Sequence, residues 1–577
     1  MVNMKRILHN IILSVAAVAV SVSCIQETVP VGGSVTQAQV SASKSALMSM
    51  INSIPATLYA SGAAGYAGSY GDHTDFGMPG VHLRLEHMLE DIATMADNPY
   101  YNRFYAYDMN MAMGADYTYC AYFWDYYYTL IRLANDVIAS IKPAVEEGST
   151  DEKEMTELRH ILGQAYAYRA WFYFDLARLF EPKLNKYTDV SHLRHLTVPI
   201  VDENTTIDDT KNNPRVDRET MYKFIFDDLA KAEDLLDKSK NSFNAPTMMS
   251  IYGTYARAYL ELGAAYKEYN GNPNPEVLPL TQEEAYRKAA EYARKVIDES
   301  GKTPLTQTQW EDPTTGFNSA SSNNAWIWGI SVSAESLNNL LSFISHMSAE
   351  AAWGYARYAQ FGVSSALYDM IPDADWRKHS WLDPKKENYY AYKFAGTASD
   401  KAGFLSGGQA AKPYVALKFR PAQGECNDFN IGNAADYCLM RIEEMYFIEI
   451  EATAQQDGYQ KGAELLSDFM KEYRDSKYNR QSNSLSDFLK EEMLLQKRIE
   501  FWGEGILLYD YKRLDKGIVR KYAGSNHAEV FQIDKPDGRS PQWNIVITRS
   551  EFQSNTAIDD NTNNPDPSEP EDASDNE

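Results

Sequence analysis

Apolar and small residues recur at intervals of three and four positions along much of this chain, and the clearest run lies between Leu162 and Phe180. Its apolar and small positions fall on one stripe of a helix: Leu162, Ala165, Tyr166, Ala170, Tyr173, Leu176, Ala177 and Phe180. The charged side chains inside it are Arg169, Asp175 and Arg178, which is too few for a helix surrounded by water. The pattern therefore predicts a helix that is covered over most of its circumference.

The same periodicity predicts a mostly helical fold. We expect helices at residues 117–141, 155–180, 218–236, 248–266, 283–299, 440–454, 461–473 and 486–514. Small residues at the expected contacts, such as Gly163 and Gly263, indicate antiparallel helix pairs that pack closely. The segments YARAYLELGAAY and AYRKAAEYARKVID together resemble one tetratricopeptide repeat, so a degenerate repeat scaffold is predicted. The run AWIWGISVS at residues 325–333 alternates β-forming residues and predicts a strand.

Residues 1–23 have the composition of a secretory signal, with a basic start and an apolar run that is short for a membrane span. The small residues before Cys24 resemble a bacterial lipobox, whose cysteine becomes the acylated N-terminus. The match is degenerate, because Ser21 stands where leucine is usual. We expect lipidation of Cys24, with simple cleavage of the signal peptide as the alternative. A flexible leash is predicted for residues 24–45.

The other end of the chain is strongly acidic. Residues 559–577 contain eight acidic residues, no basic residue and three prolines, so residues 557–577 are predicted to form a disordered acidic tail. The intervening residues 46–556 are predicted to form a single domain. Two insertions rich in loops interrupt its helices, at about residues 60–116 and 302–436.

Charge and cysteine content narrow the choice of partners. The formal net charge of -25 argues against a nucleic-acid partner, because there is no basic field to displace phosphate counterions. It disfavours strongly acidic ligands only weakly, since a local pocket can oppose the net charge. The cysteines beyond Cys24 are Cys120, Cys426 and Cys438. A bridge between Cys426 and Cys438 and three free thiols are both compatible with the sequence, and the spacing resembles no zinc site.

Five segments, in order along the chain, carry the motifs of one known family. The matching residues are Trp124, Tyr128, Ile131 and Asn135; Gly163, Ala165, Arg169, Ala170, Tyr173, Phe174, Asp175, Leu176 and Arg178; Arg215, Tyr222, Ile225, Asp228, Leu229 and Ala232; Arg441, Glu444, Tyr446, Ile448, Glu451 and Ala452; and Glu500, Glu504, Gly505, Asp510 and Arg513. On these residues the chain resembles the SusD/RagB family of outer-membrane nutrient-binding lipoproteins. We expect charged motif residues such as Arg169 and Glu500 to form hydrogen-bonded pairs inside the scaffold, because an unpaired buried charge costs several kcal/mol.

The resemblance implies a SusD-like fold, mostly α-helical, with degenerate tetratricopeptide-type helix pairs as scaffold. Long irregular loops with a few short strands would form the ligand face. It also implies a lipid-anchored protein on the cell surface, at the outer membrane, that touches the membrane only through its lipid. Such a protein captures a neutral glycan and delivers it to a SusC-like TonB-dependent transporter. Two alternatives remain: peptide capture, as in RagB-like members, and a scaffold that binds only protein partners.

Signatures of catalysis are missing from the sequence. It contains no nucleophile elbow, Walker loop, H-E-x-x-H motif or dinucleotide fingerprint. Nothing singles out two of its 80 acidic residues as a glycosidase pair. His73, His82 and His87 cluster in the sequence, but His82 and His87 are five positions apart and do not share a helix face well. We therefore expect a protein without enzymatic activity, metal site or cofactor.

Ligand-binding residues are expected in the loops, because loops on a rigid scaffold carry function more readily than core helices. Sugar rings present apolar C–H faces edged by hydroxyls, so receptors stack aromatic rings on the faces and hydrogen-bond the rims. The loop candidates are Tyr70, His73, Asp75, Tyr101, Tyr105, Tyr107, Trp353, Tyr355, Tyr358, Trp381, Tyr389 and Tyr390.

Overall fold

The computed structural model describes residues 44–60, 62, 73–95, 113–148, 151–314, 316–320, 324–337, 339–385, 404 and 410–567. The chain divides into two compact units, residues 1–49 and residues 50–577, and the contacts given below lie within the second unit. The predicted signal and most of the predicted leash lie outside the described residues. Among the helices of the described part, none combines the length and the apolar character needed to cross a membrane.

Helices form most of the described structure. The main helices are α1 Lys44–Thr57, α2 Met78–His87, α3 Thr118–Glu147, α4 Glu152–Phe180, α5 Arg218–Leu235, α6 Met248–Glu268, α7 Gln282–Glu299, α8 Ile442–Asp457, α9 Tyr459–Tyr473, α10 Leu494–Glu500 and α11 Leu507–Leu514. Shorter helices span Ile207–Thr210, Gln307–Glu311, Phe343–Met347, Ser365–Met370, Phe429–Gly432, Leu485–Asp487 and Arg549–Ser554, and a π-helical turn spans Phe488–Met493. The predicted mostly helical fold is confirmed.

Side-chain caps explain where several scaffold helices begin. Asp217 accepts a hydrogen bond from the backbone N–H of Thr220 at the start of α5. Thr247 and Thr281 cap α6 and α7, and Glu284 completes a capping box with Thr281. Each cap satisfies backbone N–H groups that the first turn of a helix leaves unpaired, which typically contributes about 1 kcal/mol.

The scaffold helices pack in series. α4 lies between α3 and α5, α6 packs against α7, and α7 packs against α8, which in turn packs against α9. Close approach depends on small residues: a Cβ on Gly263 of α6 would lie 2.8 Å from the ring of Tyr286 in α7. The contact between α7 and α8 joins helices that are separated by residues 300–441 in the sequence. The second predicted insertion is therefore looped out between neighbouring helices of the repeat scaffold.

The described strands are short and pair in twos. They are β1 Ile92–Thr94, β2 Trp326–Ile330, β3 Phe361–Val363, β4 Tyr437–Arg441, β5 Ile518–Val519 and β6 Asp534–Lys535. They form the antiparallel pairs β1–β3, β2–β4 and β5–β6, and β2 is the strand predicted from AWIWGISVS. The β1–β3 pair connects the first insertion with the second, which brings their neighbouring loops to one region of the molecule.

The long helix predicted at residues 486–514 is interrupted after Glu500. Gly503 and Gly505 have φ values of 77° and 81°, a conformation that L-residues other than glycine adopt at a cost. Their backbone N–H groups donate to the carboxylate of Glu86 in α2, at 3.4 and 2.9 Å. The single-helix prediction is wrong here because this contact with α2, more than 400 positions away, leaves no trace in the local periodicity.

The charged motif residues form the buried pairs that the sequence predicts. Glu500 is fully buried and accepts hydrogen bonds from Arg377, Arg441 and Arg474 at 2.7–2.8 Å. Burial alone would raise the pKa of Glu500, but the three guanidinium groups hold this pKa well below its usual range. A second buried pair joins Arg169 of α4 to Asp228 of α5. The motif residues therefore hold the scaffold together.

The first part of the predicted acidic tail is ordered. Residues 557–567, assigned from composition to a disordered tail, pack on the body: the Asn564 amide donates to the carbonyls of Phe180 and Ile545, both at 2.8 Å. That part of the prediction is wrong, because side-chain amides anchor an otherwise polar segment. Residues 568–577 lie outside the described residues. Among the described residues, Cys120, Cys426 and Cys438 form no disulfide bond.

Candidate functional site

The candidate residues fall into two groups. Four loop residues, two weaker additions and the lipidation site lie outside the described residues: Tyr70, Tyr101, Tyr105 and Tyr107; Tyr389 and Tyr390; and Cys24. The described candidates are His73, Asp75, Trp353, Tyr355, Tyr358 and Trp381.

His73 and Tyr355 meet across the two insertions. The Nδ1 atom of His73 lies 2.7 Å from the hydroxyl oxygen of Tyr355, and the rings make an edge contact with centroids 4.8 Å apart. His73 is exposed and Tyr355 is half-buried. Two sequence-predicted candidates from distant segments are therefore neighbours on one surface.

His346 supports this pair from the interior. Its Nε2 atom lies 2.6 Å from the backbone carbonyl oxygen of His73, and its ring stacks between Phe76 and Tyr355 at 5.4 and 4.8 Å. A carbonyl oxygen only accepts, so Nε2 carries the hydrogen. Burial lowers the pKa of His346 to about 3, which keeps the imidazole neutral. Sequence reasoning missed His346 because one histidine in an irregular loop gives no pattern.

Residues 353–358, which we name the aromatic turn, form the most exposed part of this surface. A short 3₁₀ helix spans Tyr355–Arg357, and the side chain of Tyr358 just after it is 67% exposed. A hydrogen bond to a buried residue holds the turn in place: the backbone N–H of Tyr355 donates to the hydroxyl of Ser345 at 3.2 Å. A Cβ on Gly354 would lie 2.8 Å from the Ser345 carbonyl oxygen, so only glycine fits that position without a shift.

A second loop packs beside the aromatic turn. The backbone N–H of Ala352 donates to the carbonyl of Cys426 at 2.9 Å. A Cβ on Gly432 would lie 2.7 Å from the indole ring of Trp353, which is half-buried, and the neighbouring Ile431 is 39% exposed. The ring of Trp353 is therefore supported by this second loop, which also presents an exposed apolar side chain, Ile431.

Two candidates are buried. Trp381 is fully inaccessible and makes an edge contact with Trp502 at a centroid distance of 5.6 Å, so its prediction as a ligand-stacking residue is wrong. Composition shows that a loop is rich in tryptophan but not which rings turn inward. Asp75 is 3% exposed, and its Oδ2 accepts a hydrogen bond from the N–H of Gly62 at 3.0 Å. Asp75 thus stabilises the loop and presents little surface to a ligand.

The three clustered histidines contact different partners. Nδ1 of His82 lies 2.9 Å from the hydroxyl of Tyr437, and Nδ1 of His87 lies 2.8 Å from the carbonyl of Leu83. His73 faces Tyr355. Across the part of the chain that the structure describes, no group of three or more His, Cys, Asp or Glu side chains is arranged to hold a metal ion.

The geometry thus defines a helical-repeat protein that presents an aromatic loop surface, and comparison with known proteins shows which proteins it resembles. A SusD-like family model, described as "Starch-binding associating with outer membrane", matches residues 80–260. A SusD-like protein of Bacteroides ovatus is 22% identical over 396 residues, which is 67% of this chain. The chain spans 64% of the length of that relative.

Solved structures share the fold at low sequence identity. A SusD-like carbohydrate-binding protein of Bacteroides vulgatus matches with a TM-score of 0.65 and 20% identity, over 89% of this chain and 97% of the other. Surface glycan-binding protein A of Bacteroides thetaiotaomicron, in complex with laminarihexaose, matches with a TM-score of 0.60 and 13% identity, over 90% and 99% of the two chains. The chain is therefore similar to SusD-like proteins in part of its sequence and in its fold, and the predicted resemblance is confirmed.

Proposed function

We propose that this protein binds a neutral glycan at the aromatic turn and His73. We further propose that it is a lipoprotein of the cell surface, anchored through Cys24, that passes the glycan to a SusC-like TonB-dependent transporter. Binding and transfer need no chemical step and no cofactor. The observation that carries the proposal is the exposed ring of Tyr358 beside a tyrosine that His73 and His346 hold in place.

The chemistry of the surface suits a sugar better than a charged ligand. Tyr358 offers an open ring face for the C–H groups of a pyranose and a hydroxyl for its rim. The rings of Trp353 and Tyr355 follow the same turn, so adjacent sugar units of an oligosaccharide have more than one ring within reach. His73, exposed at the edge, adds polar hydrogen-bonding capacity.

The relatives support the same ligand class. The family model carries starch binding in its description, and one structural neighbour was solved in complex with laminarihexaose. Association with the outer membrane is also part of the family description, and the lipobox-like segment before Cys24 supports a lipid anchor as its physical basis. Delivery to a transporter follows from the family resemblance.

The proposal is tested by calorimetric titration of the purified protein with a panel of neutral oligosaccharides, laminarihexaose and starch-derived chains first, and with a peptide pool beside them. Tyr358→Ala should lower the affinity for the bound glycan at least about tenfold, which corresponds to roughly 1.4 kcal/mol. Tyr117→Ala, at a 40% exposed tyrosine before α3, is the matched control and should bind normally.

The other outcomes identify the alternatives. If only peptides bind, the glycan proposal is wrong and the ligand is a peptide, as in RagB-like members. If no ligand binds and the protein nevertheless co-purifies with a transporter, the scaffold alternative is favoured. Normal glycan binding by Tyr358→Ala would keep the ligand class but remove the aromatic turn as its site.

A further inference from the structure

A cavity of about 160 Å³, which we name the lysine cavity, lies at the surface of the scaffold. The segment after α5, the first turn of α6, the end of α7 and strand β2 form its wall, and three lysines belong to it: Lys238, Lys240 and Lys302. One water needs only about 10–15 Å³, so the lysine cavity has room for a polyatomic ion together with several waters. It shares no residue with the aromatic turn or with His73.

The three lysines have no counter-ion within the described part of the chain. No carboxylate there comes within 4.0 Å of the ammonium group of Lys238, Lys240 or Lys302. Lys238 and Lys240 are exposed, so an ion can reach them from solution, whereas Lys302 is half-buried. Burial lowers the pKa of Lys302, and no carboxylate opposes that effect. The cavity therefore carries positive charge that is not neutralised locally, in a chain with a net charge of -25.

One carboxylate, that of Glu299, also belongs to the wall. It lies four positions after Lys295, on the same face of α7. Burial lowers the pKa of Lys295, but the hydroxyl of Tyr252 and the carboxylate of Glu299 raise it overall. Glu299 has no such effect on the pKa of Lys302. The charge of Glu299 therefore acts on Lys295, and it leaves Lys302 without compensation.

Two helix ends meet in the wall, and their dipoles oppose each other. Met248 and Met249 begin α6, where the first turn leaves backbone N–H groups without an intrahelical acceptor. Glu299 ends α7, where backbone carbonyls are left in the same way. The two ends carry about +0.5 and -0.5 elementary charge, so they cancel. The side chains decide the balance, and three ammonium groups with one carboxylate leave a charge of about +2.

We propose that the lysine cavity binds one tetrahedral oxyanion, a sulfate or phosphate group, between Lys302 and the two lysines that follow α5. Such a group has up to two negative charges and oxygens on all sides, so it can accept from lysines of separate segments. A halide has one charge and would leave most of the cavity to water. The bound group would join the segment after α5 to the start of α6 and the end of α7, away from the glycan surface.

Calorimetric titration of the whole protein tests the site. Inorganic sulfate and phosphate should bind saturably at pH 7, with sodium chloride keeping the ionic strength constant. Lys302→Met should weaken binding at least about tenfold, and so should the double variant Lys238→Gln/Lys240→Gln. Lys223→Met removes the same charge from α5, where Lys223 pairs with Asp227, and it should bind as the wild type does.

Glycerol 1-phosphate separates two sources of the same chemistry. If it binds as tightly as inorganic phosphate, the cavity accepts an esterified group such as a lipid headgroup. If only the inorganic ions bind, the cavity takes the free ion. Both results support the site, and neither depends on glycan binding, because these ligands contain no sugar ring.

Crystals soaked in selenate locate the ion directly. An anomalous peak beside Lys302 in the wild type, and none in Lys302→Met, is the expected result. The absence of saturable binding up to about 20 mM sulfate and phosphate would overturn the proposal. Full affinity in both lysine variants would also overturn it, because the ion would then bind elsewhere. Selenate peaks at other surface positions alone would mean an adventitious ion only and would have the same consequence.

Discussion

Nδ1 of His73 and the hydroxyl oxygen of Tyr355 are 2.7 Å apart, although 282 positions separate the two residues in the sequence. The contact joins the first loop insertion to the aromatic turn of the second. This hydrogen-bond contact involves only the hydroxyl group of Tyr355, and the ring of Tyr355 stacks on the ring of His346. In the proposed function, His73 therefore positions the ring on which a sugar stacks.

Tyr355→Phe keeps the ring and removes this hydrogen bond. Glycan affinity should fall about 3–10-fold, because a single bond of this kind contributes about 0.5–1.5 kcal/mol. Calorimetric titration of Tyr355→Phe, His73→Ala and the double variant measures the coupling. If the bond acts as proposed, the double variant is not much weaker than His73→Ala, whereas fully additive losses would show that the two residues act separately.

Gly505→Ala should destabilise the protein by more than about 3 kcal/mol, since it combines left-handed strain with overpacking. The φ of Gly505 is 81°, and a Cβ there would lie 2.1 Å from the Cβ of His82. Gly524→Ala is the matched control: its φ is 80°, but a Cβ would have no neighbour within 4 Å. Gly524→Ala should lower the free energy of unfolding only by the cost of the left-handed backbone, about 1–2 kcal/mol. Urea unfolding of both variants measures the difference, and equal losses would rule out the contact with His82.

Glu500 is the centre of a buried cluster of ion pairs with three arginines. Glu500→Gln removes the carboxylate shared by Arg377, Arg441 and Arg474, and it should lower the free energy of unfolding by about 3–5 kcal/mol. Glu464→Gln, on the exposed face of α9, should change it by less than about 0.5 kcal/mol. A small loss in Glu500→Gln would show that the three arginines find other partners.

Sequence periodicity predicted the scaffold because each long helix carries its own buried stripe. The segment from Leu162 to Phe180 becomes the buried part of α4, and its Arg169 forms a buried ion pair, as expected, although the partner Asp228 was not predicted. The break after Glu500 was missed, since it depends on Glu86, which is remote in the sequence.

The candidate surface was predicted less completely. His73, Tyr355 and Tyr358 were named from composition and ligand chemistry, and the structure places them together or on the surface. The same reasoning included Trp381, which is buried against Trp502, and omitted His346, which orders the pair. Whether a loop aromatic faces solvent depends on contacts that a sequence pattern does not encode.

His346→Gln should change how stability depends on pH. Burial lowers the pKa of the folded-state imidazole to about 3, whereas an unfolded histidine titrates near its ordinary value of about 6.5. The neutral histidine therefore contributes stability that is present above about pH 6.5 and is lost as pH falls toward 3. Near pH 5 the unfolded state binds about one more proton, which corresponds to roughly 1.3 kcal/mol per pH unit.

Other groups titrate in the same pH range and also change the free energy of unfolding. The informative quantity is therefore the difference between the wild type and His346→Gln in how this free energy changes with pH. Burial raises the pKa of Glu86 to about 8, which acts in the opposite direction. Glutamine at position 346 keeps an N–H donor for the His73 carbonyl but takes up no proton. Urea unfolding between pH 5 and 6 should show a slope smaller by about 1.3 kcal/mol per pH unit in the variant. Between pH 7 and 8 both slopes should coincide, and equal slopes at pH 5 would mean that His346 is protonated in the folded protein.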